Sequence, residues 1–508
     1  MQGRTAAGAI RRLPVDVLGL VSAAYLIAAL VTASMPMVAT AVLVAAAVVS
    51  YAVLSRRESS YLSASAVFSA SWMITIALAQ LRWVDYQQVW QGMTWVCLAA
   101  GHLMFVVGVT LGRTRASSAP EPARPGVSPA KPRTLAPREA TRLFWVCMTA
   151  LAVGLGCFAL GVLEKGYIPL FEISRNPNAY FDFYTRYHTF VVASMVSVGP
   201  AYYGIRRTAL SRWHKMALAL SILILTFVLP ILLVQRGTFL TTGLILAAAI
   251  YELSSRKLWV FVACVIGILA VYQGGSSLRG YSDAQLNEFF KPKTTQSEGA
   301  TAASTAAPSS SATETTPPAP TTPTPSPGPT SPPAPTGTTG GRVLSPGQSF
   351  AYSYLTVSHD NFDLGVRMKQ HHAWGMWTIQ PFTTVVRLPF LRDAIAEKEN
   401  YIVLPHLTTN NLISGAYYDF GLPGVLVSAC LWGWGIARIE RAYRRSRSPM
   451  ALTSMGIALT PVALCFFAPW FSLFQLWLLW GTALLLHAAL TVGLNGAHVG
   501  TRRGDLAS

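Results

Sequence analysis

The chain has 508 residues, 52% hydrophobic and only 12% charged, about half the charged share that covers a typical soluble surface. Its mean hydropathy is +0.41, so most of its length crosses a bilayer, and a soluble cytosolic, nuclear or secreted enzyme is excluded. The net charge of +18 is what a membrane protein gathers in its cytoplasmic loops, and it needs no nucleic-acid partner.

Apolar runs of about 20 residues predict an all-α polytopic protein with about twelve transmembrane helices. They fall near 15–33, 36–54, 63–81, 92–112, 144–163, 188–205, 217–234, 238–253, 258–275, 421–438, 451–469 and 471–493. The first run follows Arg4, Arg11 and Arg12, as a signal peptide would. It is long, and another span follows at once, so a retained helix is expected. Helices 1–4 then occupy 1–112, and a Pro/Arg-rich linker follows at 113–143. Helices 5–9 occupy 144–275, and a large external loop spans 276–420. Helices 10–12 occupy 421–493, and a tail runs over 494–508.

Placing both termini in the cytoplasm puts most basic residues on that side. They include Arg56 and Arg57, the linker arginines, Arg206, Arg207, and the run Arg438, Arg441, Arg444, Arg445, Arg447. The bias orients the chain. Residues 294–349 are Thr/Pro/Ser/Ala-rich and cannot build a packed core, so a disordered insert is expected there. A tolerated insertion and an O-glycosylated stalk both fit it. The six cysteines, Cys97, Cys147, Cys157, Cys264, Cys430 and Cys465, all lie in apolar runs. They read as small buried hydrophobes rather than disulfides or metal ligands.

Three external segments carry polar chemistry: 164–187, the turn 235–237, and 275–420 outside the insert. Arg236 lies between two apolar runs, where an arginine costs about 3 kcal/mol at a helix centre. It reads as an anion clamp, against the alternative of an arginine snorkelling from a helix end. Arg279 follows paired glycines just outside a span, and its planar fork suits phosphate. Arg186 and Arg175 are weaker versions of the same argument.

The stretch 350–372 predicts an amphipathic helix with Phe350, Tyr354, Val357 and Asn361 on one face. His359 and Asp363 share a face by their spacing, and Asp360 lies beside them. A His–carboxylate pair is a general-base arrangement and also a common incidental one. No HExxH or Cys pattern points to zinc. Asp419 opens a late span, where it complements a helix dipole or binds sugar hydroxyls. Asn410 and Asn411 precede it with groups suited to carbohydrate, and His406 stands nearby. Trp374, Trp377, Tyr417 and Tyr418 offer faces for sugar rings or form an interfacial belt.

Taken in order, these motifs are similar to those of one family. They are GYIPLF at Gly166–Phe171, the Gln235-Arg236-Gly237 turn, and Arg279-Gly280. Then come Tyr354 with Asn361-Phe362-Asp363, and Asn410–Gly424 ending in YYDFGLPG. The chain resembles bacterial oligosaccharide repeat-unit polymerases of the O-antigen polymerase (Wzy-type) superfamily over about residues 140–490. The Thr/Pro insert departs from the family, as does Gln235 where a small residue is usual.

The resemblance implies a GT-C-like membrane glycosyltransferase without a metal or other cofactor. It would join repeat units carried on a polyprenyl (undecaprenyl-type) diphosphate at the outer face of the bacterial plasma membrane. A chain-length regulator and a flippase are implied partners. Arg236, Arg279 and Arg186 would hold the diphosphate. His359, Asp360 and Asp363 would activate the acceptor. Asn410, Asn411, Tyr418 and Asp419 would bind glycan. A glycan ligase with the same donor is the nearest alternative, and a lipid-linked oligosaccharide flippase the next. No Rossmann fingerprint or P-loop calls for a nucleotide, and no pseudo-repeat of broken spans points to a transporter.

Overall fold

In a computed structural model the described residues are 14–114, 134–172, 179, 183, 186–263, 265–267, 344–369, 371–386, 401–404 and 407–491. Among them the chain is helical. The helices are α1 (Val15–Val31), α2 (Pro36–Glu58), α3 (Ala64–Gln80), α4 (Gly92–Thr114) and α5 (Pro137–Lys165). Next come α6 (His188–Ser194), α7 (Val198–Arg207), α8 (Arg212–Leu232), α9 (Arg236–Leu253) and α10 (Lys257–Gly267). The last are α11 (Pro346–Met368), α12 (Met376–Val386), α13 (Ser414–Ser446), α14 (Pro449–Ala463) and α15 (Phe474–Thr491). Six are long and apolar enough to cross a membrane: α2, α4, α5, α8, α13 and α15. The shorter apolar helices α1, α3, α9, α10 and α14 fall on five of the other runs read from the sequence, and the run at 188–205 is divided between α6 and α7 by a 3-10 turn.

Local chemistry sets many of the ends. Pro36, Pro137 and Pro449 begin helices, where their missing N–H is not needed. Ser211 and Ser448 cap α8 and α14 by accepting from His214 N and Ala451 N. Gly166 ends α5 at φ 77°. Two boundaries differ from the sequence expectation. A Ser345–Gln348 capping box starts α11 at Pro346, inside the stretch assigned to the insert. Helix α13 starts at Ser414, not 421, and Gly421 breaks it at φ 64°, ψ −149°, a conformation open essentially to glycine. Arg279, Arg175, His406 and the Thr/Pro tract to 343 lie outside the described residues.

The tightest pairing joins α4 to α13. A Cβ on Gly108 would meet Cys430 O at 2.0 Å, and one on Gly433 would meet Phe105 O at 2.2 Å. Small residues let these backbones touch, as lipid-embedded helices require. Around them Phe68, Trp72, Met73, Ile76, Leu98 and Phe105 are fully buried.

The two ends of the bundle differ. At one, Arg113 sits between Glu58 and Glu440, Arg447 pairs with Glu252, and Arg57 pairs with Asp16. This is the end that gathers the basic loops. At the other end α11, α12, the 81–91 loop and residues 401–413 pack over the spans.

Candidate functional site

Helix α11 organises the second end. Its predicted apolar face is real: Phe350, Tyr354 and Val357 are buried against Leu404 and Leu407. Asn361 fastens the same segment, donating to Leu407 O at 3.0 Å and Thr409 O at 2.7 Å and accepting from Val403 N at 2.8 Å.

The polar face of α11 meets the loop between α3 and α4. Asp360 accepts from Trp90 Nε1 at 2.9 Å and Gln87 Nε2 at 3.1 Å. Asp363 accepts from Thr94 Oγ1 at 2.6 Å, Gln91 N at 2.9 Å and Arg367 Nε at 2.6 Å. His359 turns elsewhere. Its Nε2 lies 3.0 Å from Thr75 Oγ1 of α3, its Nδ1 lies 3.4 Å from Asn411 Nδ2, and its ring meets Trp72 edge-on. The expected His359–Asp363 pairing is therefore corrected. Donors from the loop, from α4 and from α11 itself claim the carboxylate, while the imidazole reaches Thr75 of α3.

Burial pushes the Asp360 carboxyl up to about 7, although the Trp90 and Gln87 hydrogen bonds pull the other way. The same burial lowers His359 to about 3, which keeps its ring neutral.

Asn411 Oδ1 accepts from Ser414 Oγ at 2.7 Å. Asn410 Oδ1 accepts from Tyr418 Oη at 3.4 Å, while its Nδ2 is buried with no hydrogen-bond partner. Tyr418 is buried against the Trp377 and Tyr401 rings. Asp419 accepts from Trp377 N at 2.9 Å, Thr378 N at 2.8 Å and Thr378 Oγ1 at 2.6 Å. It meets a helix dipole as the sequence suggested, but at the start of α12 rather than in its own helix.

Seven of the singled-out residues thus share one end of the bundle: His359, Asp360, Asp363, Asn410, Asn411, Tyr418 and Asp419. Arg186 is exposed beside the Tyr187 ring, outside this cluster's hydrogen bonds. Arg236 is the first residue of α9, and its side chain lies outside the described atoms. The turn before it is strained, with β-branched Val234 at φ 53°.

Sequence reasoning passed over Arg82. Its Nη2 donates to Thr32 O at 2.6 Å and Thr32 Oγ1 at 2.9 Å, and its charge faces Asp360. Its φ of 50° was the signal, and only the backbone reveals it.

An apolar cavity of about 520 Å³ lies among α2, α3, α9, α10 and α14, with Val48, Ile74, Leu244 and Phe261 in its walls. It reaches Leu355 and Thr75, the residue that holds His359. A second apolar cavity of about 460 Å³ flanks α9 on its α8 side and shares Leu244 and Ala247 with the first. Both volumes fall in the usual ligand range.

No family model, curated protein or solved structure matches the chain. The fold and site define its class: a multi-pass helical membrane protein with a buried polar cluster at one end and an apolar cavity that reaches it.

Proposed function

We propose that the chain is a membrane glycosyltransferase of surface polysaccharide biosynthesis. It polymerises repeat units from a polyprenyl-diphosphate-linked oligosaccharide at the outer face of the bacterial plasma membrane. In this reading about twelve helices cross the bilayer in a GT-C-like arrangement, and both termini are cytoplasmic.

The observation that carries the reading is the apolar cavity that reaches Thr75, which holds His359 of the polar cluster, and Leu355 of α11. A polyisoprenoid chain needs an apolar path, and its diphosphate needs a polar mouth at the same end. Helix α9 supports this pairing, because it starts at Arg236 and lends Leu244, Ala247 and Ala248 to the cavity wall. Arg236 is then the clamp on the leaving diphosphate, assisted by Arg279 and Arg186, and it stabilises charge as the glycosidic bond breaks.

Among His359, Asp360 and Asp363, Asp360 is the base we favour. A carboxyl near pH 7 is matched to proton transfer from a sugar hydroxyl. Asp363 and Asp419 position the elements around it. Asn410, with a spare buried donor, is the foremost glycan ligand of its group.

The test is photolabelling with a benzophenone-bearing polyprenyl diphosphate in proteoliposomes. Labelled peptides should come from α3 and α9, and Ala247→Trp should suppress them. Labelling confined to other helices, or unchanged by Ala247→Trp, removes the lipid-tail assignment.

A further inference from the structure

Helix α13 carries a stripe toward the basic end that the proposed reaction does not use. Val427, Leu431, Trp434, Arg438, Arg441 and Arg445 recur at helical spacing on one face. Val427 and Leu431 are 60% and 59% exposed, so they look outward at membrane depth. Trp434 follows at the level where indoles favour the interface, and the Arg438 guanidinium lies over its ring at 5.8 Å. Then the charges begin.

Arg441 is repelled by Arg438, Arg445 and Arg113 together, and its Nη1 is buried with no hydrogen-bond partner. Among the described residues, the acids at this end have other partners. Glu58 and Glu440 hold Arg113, Glu252 holds Arg447, and Asp16 holds Arg57. An apolar stripe, an interfacial indole and uncompensated guanidinium groups follow one another in the order of an acyl chain, a glycerol backbone and a phosphate.

We infer that this stripe of α13 is a binding site for one anionic phospholipid, whose phosphate meets Arg441 between Arg438 and Arg445. The phosphate supplies the counter-charge that the described residues do not place there, and paired oxygens fit a guanidinium fork. The acyl chains lie along Val427 and Leu431. The site is independent of the glycosyltransferase reading and stands at the opposite end of the bundle from it.

The test is native mass spectrometry of the full chain, delipidated and exposed to phosphatidylglycerol or phosphatidylcholine. Phosphatidylglycerol should be retained about tenfold better, from the attraction of several basic residues. Arg438→Gln with Arg441→Gln should abolish that preference, while Arg441→Lys keeps most of it. Should the Gln variants fail to fold, salt replaces them on the wild-type protein: the preference must shrink as ionic strength rises. Equal retention of the two lipids would overturn the inference, as would a preference untouched by the Gln variants or by salt. Inorganic phosphate is the third arm. If it displaces phosphatidylglycerol at matching concentration, the site is a plain anion site and the lipid claim fails.

Discussion

Replacing Asp363 by Ala tests whether the acids of α11 are fasteners or reactants. The Asp363 carboxylate accepts three hydrogen bonds, from Thr94 Oγ1, Gln91 N and Arg367 Nε, and is 5% exposed. Removing it leaves the Arg367 charge without its partner and two donors without an acceptor. Breaking a buried pair from one side costs about 3–5 kcal/mol. Arg367 is 27% exposed and water can reach it, so about 3 kcal/mol is the expected loss. In detergent this should lower the unfolding midpoint by roughly 3–4 °C. Asp363→Asn keeps an acceptor and should fall between Ala and the wild type. Activity should follow stability across the series and recover when lipid restores the fold. An inactive Asp363→Asn protein as stable as wild type would refute the fastening role and return Asp363 to the chemistry.

Gly433→Val should abolish folded protein, because its Cβ position lies 2.2 Å from the Phe105 carbonyl and backbone cannot yield as a side chain does. Gly435→Ala, with nothing within 4 Å of its Cβ, is the matched control for expression and gel filtration. Arg113→Gln should destabilise by about 3–5 kcal/mol by stranding Glu58 and Glu440; Glu58→Gln with Glu440→Gln in that background should regain part of the loss in a thermal melt. Asp360 predicts a pH effect. Its folded pKa of about 7 exceeds the ordinary 3.8. Its stabilising contribution is therefore fully present below the unfolded value and lost as the pH rises through about 7. Melting temperature should fall between about pH 4 and about pH 7 and level off above that, and Asp360→Asn should remove the fall.

Much of the fold was legible because lipid leaves the chain little choice. Each span must be a continuous apolar run with its hydrogen bonds closed internally. Helix α11 was legible from the spacing of Phe350, Tyr354 and Val357. Its start was not, because the Thr/Pro tract before it masked the Ser345–Gln348 capping box. Gly421 read as the opening of a span, yet it is an internal break, since a glycine looks the same before a helix and within one. The cluster around α11 was legible as composition but not as geometry. Periodicity puts Asp363 on a face; it does not say that Thr94 and Gln91 lie opposite. Those partners come from 269 and 272 residues away. Asp419 was likewise assigned to its own helix, because the start of α12 reaches it only in three dimensions.

The most direct measurement of the central claim is reconstitution of the purified chain in lipid with a polyprenyl-diphosphate oligosaccharide, without nucleotide sugar or added metal. The account predicts a ladder of products spaced by one repeat, with release of polyprenyl diphosphate, and loss of both in Arg236→Ala. A donor that crosses the bilayer chemically intact would contradict it and make the apolar cavity a translocation path.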